Sequence, residues 1–132
     1  MTAILLDTCA ALWLANGSRL ADGALEALEA SDRIVVSPIS AWELGQLTSR
    51  RRLSLSMDTI LWWEALLEAG VELAAMDAAI LIASSTLPGA QIRDPVDRIL
   101  VATARRQGFR IMTRDRPILT YTASGHVQSI AC

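Results

Sequence analysis

The sequence has 132 residues, 52% of them hydrophobic, and a formal net charge of −2 at pH 7. A chain of this length can bury a core without disulfides or structural metals, so we predict a single domain over residues 1–132. No apolar run reaches the roughly 18 residues that a membrane helix needs, and the N-terminus lacks the basic region of a signal peptide. We therefore expect a cytoplasmic protein that does not associate with membranes.

The side chains that are present restrict the possible chemistry. All basic residues are arginine, which excludes any mechanism that needs a lysine base, a Schiff base or a P-loop. His126 is the single histidine, and we predict that it lies at the surface and supports neither Ser-His-Asp nor Cys-His catalysis. Cys9 and Cys132 lack the spacing of a zinc site or a disulfide framework. The net charge gives no overall signature of nucleic-acid binding, although arginine can bind phosphates or carboxylates bidentately.

Apolar runs and capping residues predict strands that alternate with helices. Buried strands are predicted over residues 3–6, 34–36, 71–74, 109–112 and 127–130. Helices are predicted over residues 10–14, 21–30, from 38 onward, 57–69, 77–85 and 95–107, and residues 116–122 form a turn or short helix. This alternation predicts an α/β domain, a three-layer α/β/α fold with a mostly parallel central sheet that is covered on both faces.

The stretch over residues 92–104 begins as a loop and becomes a helix at Pro95. Asp94 suits the N-cap, Pro95 the first helical position, and the helix dipole favours an acid at Asp97. One apolar face recurs at helical spacing and can be buried; it consists of Val96, Ile99, Leu100 and Thr103. The two aspartates either cap this helix or take part in chemistry.

Several polar residues directly follow predicted strands, among them Asp7, Ser37 and residues 113–115. Parallel strands end at a common edge of the sheet, where α/β proteins bind ligands. Each acid near that edge also has a structural interpretation: Asp7 can cap a helix, and Ser40 and Glu43 have the spacing of a capping box, although Ser37 and Pro38 make the better helix start.

Four acids are nevertheless expected to converge at this edge: Asp7, Glu43, Asp97 and Asp115. Two like charges about 4 Å apart repel by roughly 4 kcal/mol at an effective dielectric near 20, so such a cluster requires a cation or protonation. Ligands that are all oxygen select Mg²⁺ or Mn²⁺ over zinc. Hydrated ions of this kind suit the hydrolysis of phosphoryl esters.

Four segments of the sequence, residues 5–8, 36–44, 93–102 and 111–115, carry these acids with their apolar neighbours. In content and order they resemble a PIN domain, specifically the VapC-type toxin ribonucleases of type II toxin–antitoxin pairs. The resemblance implies that Asp7, Glu43 and Asp97 are the core metal-binding acids and that Asp115 is a fourth, more variable one.

The resemblance also implies an activity and partners. Proteins of this family cleave RNA with Mg²⁺ or Mn²⁺, usually as homodimers. A small cognate antitoxin, whose C-terminal segment covers the active-site groove, holds them inactive. Two positions depart from the pattern: Ile92 stands where many relatives have histidine, and Val96 where many have an aromatic residue. Neither is a core acid, so we expect effects on loop packing or RNA fit.

A ribonuclease is not the only function that these residues could support. A catalytically silent PIN fold that binds RNA or protein is the main alternative, and the retention of all four acids argues against it. A haloacid-dehalogenase phosphatase needs an acid where Cys9 stands, and a response-regulator receiver needs a lysine. A DNA nuclease stays open, because metal-dependent hydrolysis does not require the 2′-hydroxyl.

Three further features have two interpretations each. Arg98 either reaches a substrate phosphate or pairs with Asp94 one helical turn away. Arginines 50–52 either contact RNA or the antitoxin or form a solvated helix end. Trp62 and Trp63 point in different directions on a helix, so one is expected in the core and the other is available for an interface.

Overall fold

The computed structural model describes residues 3–89 and 91–132. Met1, Thr2 and Ala90, which the predicted domain includes, lie outside the described residues. In chain order the elements are β1 (Ala3–Leu6), α1 (Thr8–Ala15), α2 (Asp22–Ala30), β2 (Arg33–Val36), α3 (Pro38–Ser49), α4 (Thr59–Glu68), β3 (Glu72–Leu73), α5 (Ala78–Ser85), α6 (Pro95–Gln107), β4 (Arg110–Thr113), α7 (Arg116–Thr122) and β5 (Ser129–Ala131).

The five strands form one sheet in the order β3-β2-β1-β4-β5. All four pairings between these strands are parallel, which confirms the predicted mostly parallel sheet. The chain builds outward from β1 through β2 to β3 and then returns to add β4 on the other side of β1. The strand order therefore reverses between β1 and β4, and α/β sheets bind ligands beyond the carboxyl ends of the strands at such a reversal.

Helices cover both faces of the sheet, as the three-layer prediction requires. Side chains alternate between the faces along β1: Leu5 belongs to a core cluster with residues of α5, α6 and α7, whereas Ile4 and Leu6 belong to a second cluster with residues of α1, α3 and α4. The side chains of Ile4, Leu5 and Leu6 are all fully buried. The central strand therefore anchors both layers of helices.

Helix α6 begins and ends as its sequence predicts. Asp94 is the N-cap, and its Oδ1 accepts hydrogen bonds from the backbone N–H groups of Val96 (2.8 Å) and Asp97 (3.2 Å). Gly108 ends the helix with a φ of +76°, a left-handed conformation that glycine adopts without a steric penalty. Helix α5 packs against α6, and α6 is buried over more than the predicted face.

Element bounds differ from the sequence prediction mainly at the sheet edges. The strand predicted over residues 71–74 is reduced to Glu72–Leu73, and the strand predicted over residues 127–130 begins only at Ser129. An edge strand pairs on one side only, so apolar content alone does not define its length. Within the described residues, none of the helices combines the length and apolarity needed to cross a bilayer.

The cap of α6 yields a stability prediction. Asp94→Ala removes the acceptor for two backbone N–H groups and is expected to lower the free energy of unfolding by about 1 kcal/mol. Asp94→Asn keeps a capping oxygen and is expected to lose much less. Urea unfolding of both variants beside the wild type measures the difference, and an unchanged Asp94→Ala protein would contradict the assigned cap.

Candidate active site

The four acids predicted from the sequence all lie toward the carboxyl edge of the sheet. Asp7 directly follows β1 and is the N-cap of α1, and Asp115 follows β4 and is the N-cap of α7. Glu43 lies in the second turn of α3, and Asp97 lies in the first turn of α6. Asp7 and Asp115 are therefore placed by the ends of strands, and Glu43 and Asp97 by the first two turns of helices.

Thr113, the last residue of β4, connects two of these acids. Its hydroxyl donates a 2.5 Å hydrogen bond to Oδ2 of Asp7 and accepts one of 2.9 Å from the backbone N–H of Asp115. The other carboxylate oxygen of Asp7 accepts from the backbone N–H of Ala10 at 2.7 Å. The Thr113 side chain is fully buried, so this hydroxyl fixes Asp7 relative to the turn that carries Asp115.

Sequence reasoning did not single out this role of Thr113. The available signal was a polar side chain at the end of a buried strand, two residues before an acid. A buried hydroxyl in that position needs a partner. The neighbouring strand end supplies that partner as the Asp7 carboxylate, and the pairing of β1 with β4 was not readable from the sequence.

A second buried hydroxyl pair positions α3. The Thr8 hydroxyl at the start of α1 donates to Ser40 Oγ in α3 at 3.0 Å, and both residues are buried. Ser37 is the N-cap of α3, with its Oγ accepting from the Ile39 N–H at 3.1 Å. The capping-box interpretation of Ser40 is therefore wrong, and Glu43 is free of a capping role.

The acids influence one another electrostatically. The pKa of Asp97 is raised to about 7, chiefly by burial and then by the nearby negative charges of Asp94, Asp115, Glu43 and Asp7, in that order. Burial also raises the pKa of Asp7 against the lowering effect of its hydrogen bonds to Thr113 and Ala10, and Asp115 and Glu43 add to the increase. The structure thus brings all four predicted acids into one negative field.

No arginine of the described residues neutralises this field through an ion pair within 4 Å. The structure shows an ion pair elsewhere, between Arg33 and Glu72 at the amino ends of β2 and β3. Arg114, between Thr113 and Asp115 in sequence, instead stacks its guanidinium 3.9 Å from the Trp13 ring centre and donates to the Arg19 carbonyl. Among residues 3–89 and 91–132, the negative charge at the site therefore has no cationic partner within 4 Å.

The acids have the chemistry of a divalent-cation site but not its finished geometry. Carboxylate oxygens are the donors that Mg²⁺ and Mn²⁺ prefer, and each oxygen of Asp7 keeps lone-pair capacity beyond its one hydrogen bond. Across residues 3–89 and 91–132, however, no three Asp, Glu, His or Cys side chains already form a metal-binding group. The donor chemistry fits the ion, although the described side chains are not gathered into a finished set of ligands.

Cys9 lies in the same field on the first turn of α1. Desolvation, followed by the charges of Asp7, Glu43, Asp115 and Asp97, raises the pKa of its thiol to about 11. The thiol therefore stays protonated at neutral pH, and a thiolate is the form that binds metals. The carboxylates remain the relevant donors.

The two positions that depart from the family pattern lie in the core. Ile92 and Val96 are both buried, at 2% and 6% exposure, in the core cluster beneath α6.

The adjacent tryptophans of α4 have different surroundings. Trp62 is buried, which confirms the expected core tryptophan, and Trp63 lines an apolar cavity of about 240 Å³ between α3 and α4. Arginines 50–52 are exposed at the end of α3 away from Glu43.

Arg98 does not pair with Asp94, whereas its predicted contact with a substrate phosphate stays a prediction. Its Nε donates to the carbonyl oxygen of Ser84 and its Nη1 to that of Ile92, both at 2.7 Å. It forms no ion pair with Asp94 in the described structure. The guanidinium is therefore engaged with the backbone.

Known proteins match both the sequence and the fold. The model of the PIN domain family matches residues 4–121. Ribonuclease VapC22 of Mycobacterium tuberculosis is 33% identical over 122 residues, which cover 92% of this chain and 93% of that protein. The crystal structure of VapBC2 from Rickettsia felis bound to a promoter DNA fragment matches with a TM-score of 0.67, at 16% identity over 98% of each chain. VapBC-5 of M. tuberculosis matches with a TM-score of 0.65, at 20% identity over both whole chains.

The fold and the acid cluster at the carboxyl edge of its sheet define a PIN-domain architecture. The chain belongs to the PIN domain family, and its sequence relative places it among the VapC-type members. The solved structures share too little sequence to add more than the fold.

The raised pKa of Asp97 predicts how stability depends on pH without divalent cations. Because its pKa rises from 3.8 to about 7 on folding, the folded state holds this proton more tightly than the unfolded state. The contribution of Asp97 to stability is complete below about pH 4, falls as pH rises toward 7, and then levels off. The variant Asp97→Asn has no carboxyl group at this position and lacks this dependence of stability on pH.

Thermal unfolding at pH 5 and pH 8 in a chelating buffer tests this prediction. The wild type is expected to lose more stability over that interval than Asp97→Asn does. Equal losses in the two proteins would contradict the assigned protonation of Asp97.

Proposed function

We propose that this protein is a Mg²⁺- or Mn²⁺-dependent endoribonuclease, the toxin of a toxin–antitoxin pair. The observation that carries the proposal is the convergence of four carboxylates, from four separate segments, into one field without a cationic partner among the described residues. A folded protein accepts such repulsion where a cation or a proton offsets it. The relationship to Ribonuclease VapC22 supports RNA as the substrate.

Asp7, Glu43, Asp97 and Asp115 would hold the ion. Bound Mg²⁺ or Mn²⁺ supplies an activated water and offsets the charge that develops on a phosphodiester during hydrolysis. Asp7 arrives already oriented by Thr113 and Ala10. The pKa of Asp97 is raised to about 7, so a part of the molecules carries this proton at neutral pH and would release it when Asp97 binds the ion.

The four acids differ in how firmly the chain holds them. Asp7 accepts hydrogen bonds from Thr113 and from the Ala10 N–H, whereas Glu43 and Asp97 would complete the set of ligands from helices α3 and α6. The acids lie close enough to raise the pKa of Asp97, yet no three of them form a finished metal-binding group in the described structure. The protein's contribution to catalysis is then placement of ligands, which needs neither histidine nor lysine.

A catalytically silent PIN fold that binds RNA or protein is the second candidate. The lack of a finished metal-binding group among the described residues favours it. A silent module would bind its partner without any requirement for the four acids to be ionised. The two candidates therefore differ in metal dependence and in their response to loss of a single carboxylate.

Replacement of single acids tests the proposal. Asp97→Asn and Asp7→Asn are expected to abolish Mg²⁺-dependent cleavage of RNA, because each removes one charged ligand at nearly unchanged volume. Asp58→Asn is the matched control: Asp58 caps α4 through the Ile60 N–H, and asparagine caps equally well. Cleavage is measured on labelled RNA with Mg²⁺, with Mn²⁺ and with chelator.

Wild-type cleavage by purified Asp97→Asn would refute the metal mechanism. RNA binding without cleavage, unchanged in the acid variants, would identify a silent module instead. Cleavage of single-stranded DNA at the same rate as RNA would point to a general nuclease. Growth arrest when the wild type alone is expressed in a bacterium, relieved by the neighbouring small open reading frame, would establish the toxin–antitoxin role.

The proposal includes two protein partners in the cytoplasm. A small antitoxin would cover the active-site groove, and the unneutralised acids favour a basic segment in that partner. VapBC-5 of M. tuberculosis, which has a similar fold, is described as a member of the VapBC family of toxin–antitoxin systems. The second partner is another copy of this chain.

Helix α5 provides a surface suited to a homodimer. Six of its eight residues are alanine, leucine or isoleucine, and Ile80 is its buried residue. Leu81 and Ile82 are 42% and 69% exposed. Apolar patches of this kind mark protein interfaces.

Ile82→Glu is expected to convert the dimer to a monomer, because it places a charge in an apolar interface without disturbing the core. Light scattering after size exclusion measures the mass. Leu25→Glu on α2, where Leu25 is 43% exposed, is the matched control and is expected to remain a dimer. A dimer that survives Ile82→Glu would exclude α5 as the interface.

A further inference from the structure

Arg98 connects three segments of the chain near the candidate active site. It belongs to the first turn of α6, directly after Asp97. Its Nε donates to the Ser84 carbonyl in the last turn of α5, and its Nη1 donates to the Ile92 carbonyl in the segment that leads into α6. Both bonds are 2.7 Å long, a length typical of hydrogen bonds from a charged donor.

Both acceptors are groups that need such a donor. The last carbonyls of a helix have no partner within the helix, and the Ser84 carbonyl lies in that position in α5. Ile92 is only 2% exposed, so its backbone lies close to the core, where a carbonyl without a partner is costly. The planar guanidinium offers two donors in a fixed fork and satisfies both carbonyls at once.

The segment that Arg98 holds determines where α6 begins. Two residues after Ile92, Asp94 caps the helix, and its Oδ1 accepts from the N–H groups of Val96 and Asp97. A shift of the segment would move the cap. A shift of the cap would move the first turn, from which the Asp97 carboxylate projects.

We infer that Arg98 is a positioning residue for Asp97, which fixes the start of α6 by holding the Ile92 and Ser84 carbonyls rather than by binding a substrate phosphate. This inference rests on the proposed metal site. On this inference the guanidinium acts on the position of the Asp97 carboxylate, in the way that outer partners of metal ligands set metal affinity.

Two substitutions separate positioning from phosphate binding. Arg98→Lys keeps the positive charge but loses the fork that reaches two carbonyls, and Arg98→Gln loses the charge as well. A positioning role predicts that both variants are impaired to a similar extent. A phosphate-binding role predicts that lysine substitutes well, because lysine also binds phosphate.

Arg93→Lys is the matched control for the first substitution. Arg93 is exposed, precedes the same cap, and makes no hydrogen bond or ion pair with another described residue. It tests whether any arginine-to-lysine change in this segment has the effect expected for Arg98.

Two measurements are made without RNA. Mn²⁺ affinity, from the electron paramagnetic resonance signal of free Mn²⁺, is expected to weaken by about 10-fold to 100-fold in both Arg98 variants. Hydrogen exchange of the Val96 and Asp97 amides is expected to be faster in both. Arg93→Lys is expected to match the wild type in both measurements. Thermal unfolding sets a temperature at which every protein is folded.

The outcomes distinguish the inference from the proposed function. Wild-type Mn²⁺ affinity and amide exchange in Arg98→Lys would overturn the inference, even if the variant were less stable. The loss of RNA cleavage only in Arg98→Gln, with a weaker salt dependence, would also overturn it and assign a phosphate contact. If the wild type itself bound no Mn²⁺, the proposed function would fail, and amide exchange would still decide whether Arg98 fixes the start of α6.

Discussion

The hydroxyl of Thr113 is the interaction on which the arrangement of the site depends. It donates to the Asp7 carboxylate and accepts from the Asp115 backbone, and so joins the ends of the two strands that meet at the reversal of the sheet order. Because this hydroxyl is fully buried, neither bond competes with water. The adjacent strand pairing, continued by the hydrogen bond from the Asp7 N–H to the Met112 carbonyl, fixes the same two ends.

The acids that surround this hydroxyl work against stability when they are ionised. Burial and mutual repulsion raise the pKa of Asp7 and of Asp97, so the folded protein favours protonation at these positions. A divalent cation would replace that proton as the compensating charge. Metal binding, proton release and stability are thus expected to be linked at one place.

Helix caps orient several of the acids at this site. Asp7 and Asp115 each cap a helix with the same carboxylate that enters the negative field, and Asp94 caps α6 one turn before Asp97. The question of whether these acids cap or perform chemistry has no single answer, because a carboxylate oxygen can accept from a backbone N–H and still offer a lone pair. The cap orients the ligand, and Arg98 would in turn orient the cap.

Most strands and helices and the cap at Asp94 could be predicted from the sequence, since local periodicity and capping chemistry act over a few residues. The sequence also indicated the four acids that the structure brings into one negative field. Residues 71–74 and 127–130 were predicted less well because edge strands depend on a neighbour rather than on their own pattern. The partners of Thr113 and Arg98 could not be predicted in this way, because they depend on how distant segments pack. Their hydrogen bonds join segments that are up to 106 residues apart in sequence. The local sequence around a side chain does not indicate which distant backbone group or carboxylate will be its partner.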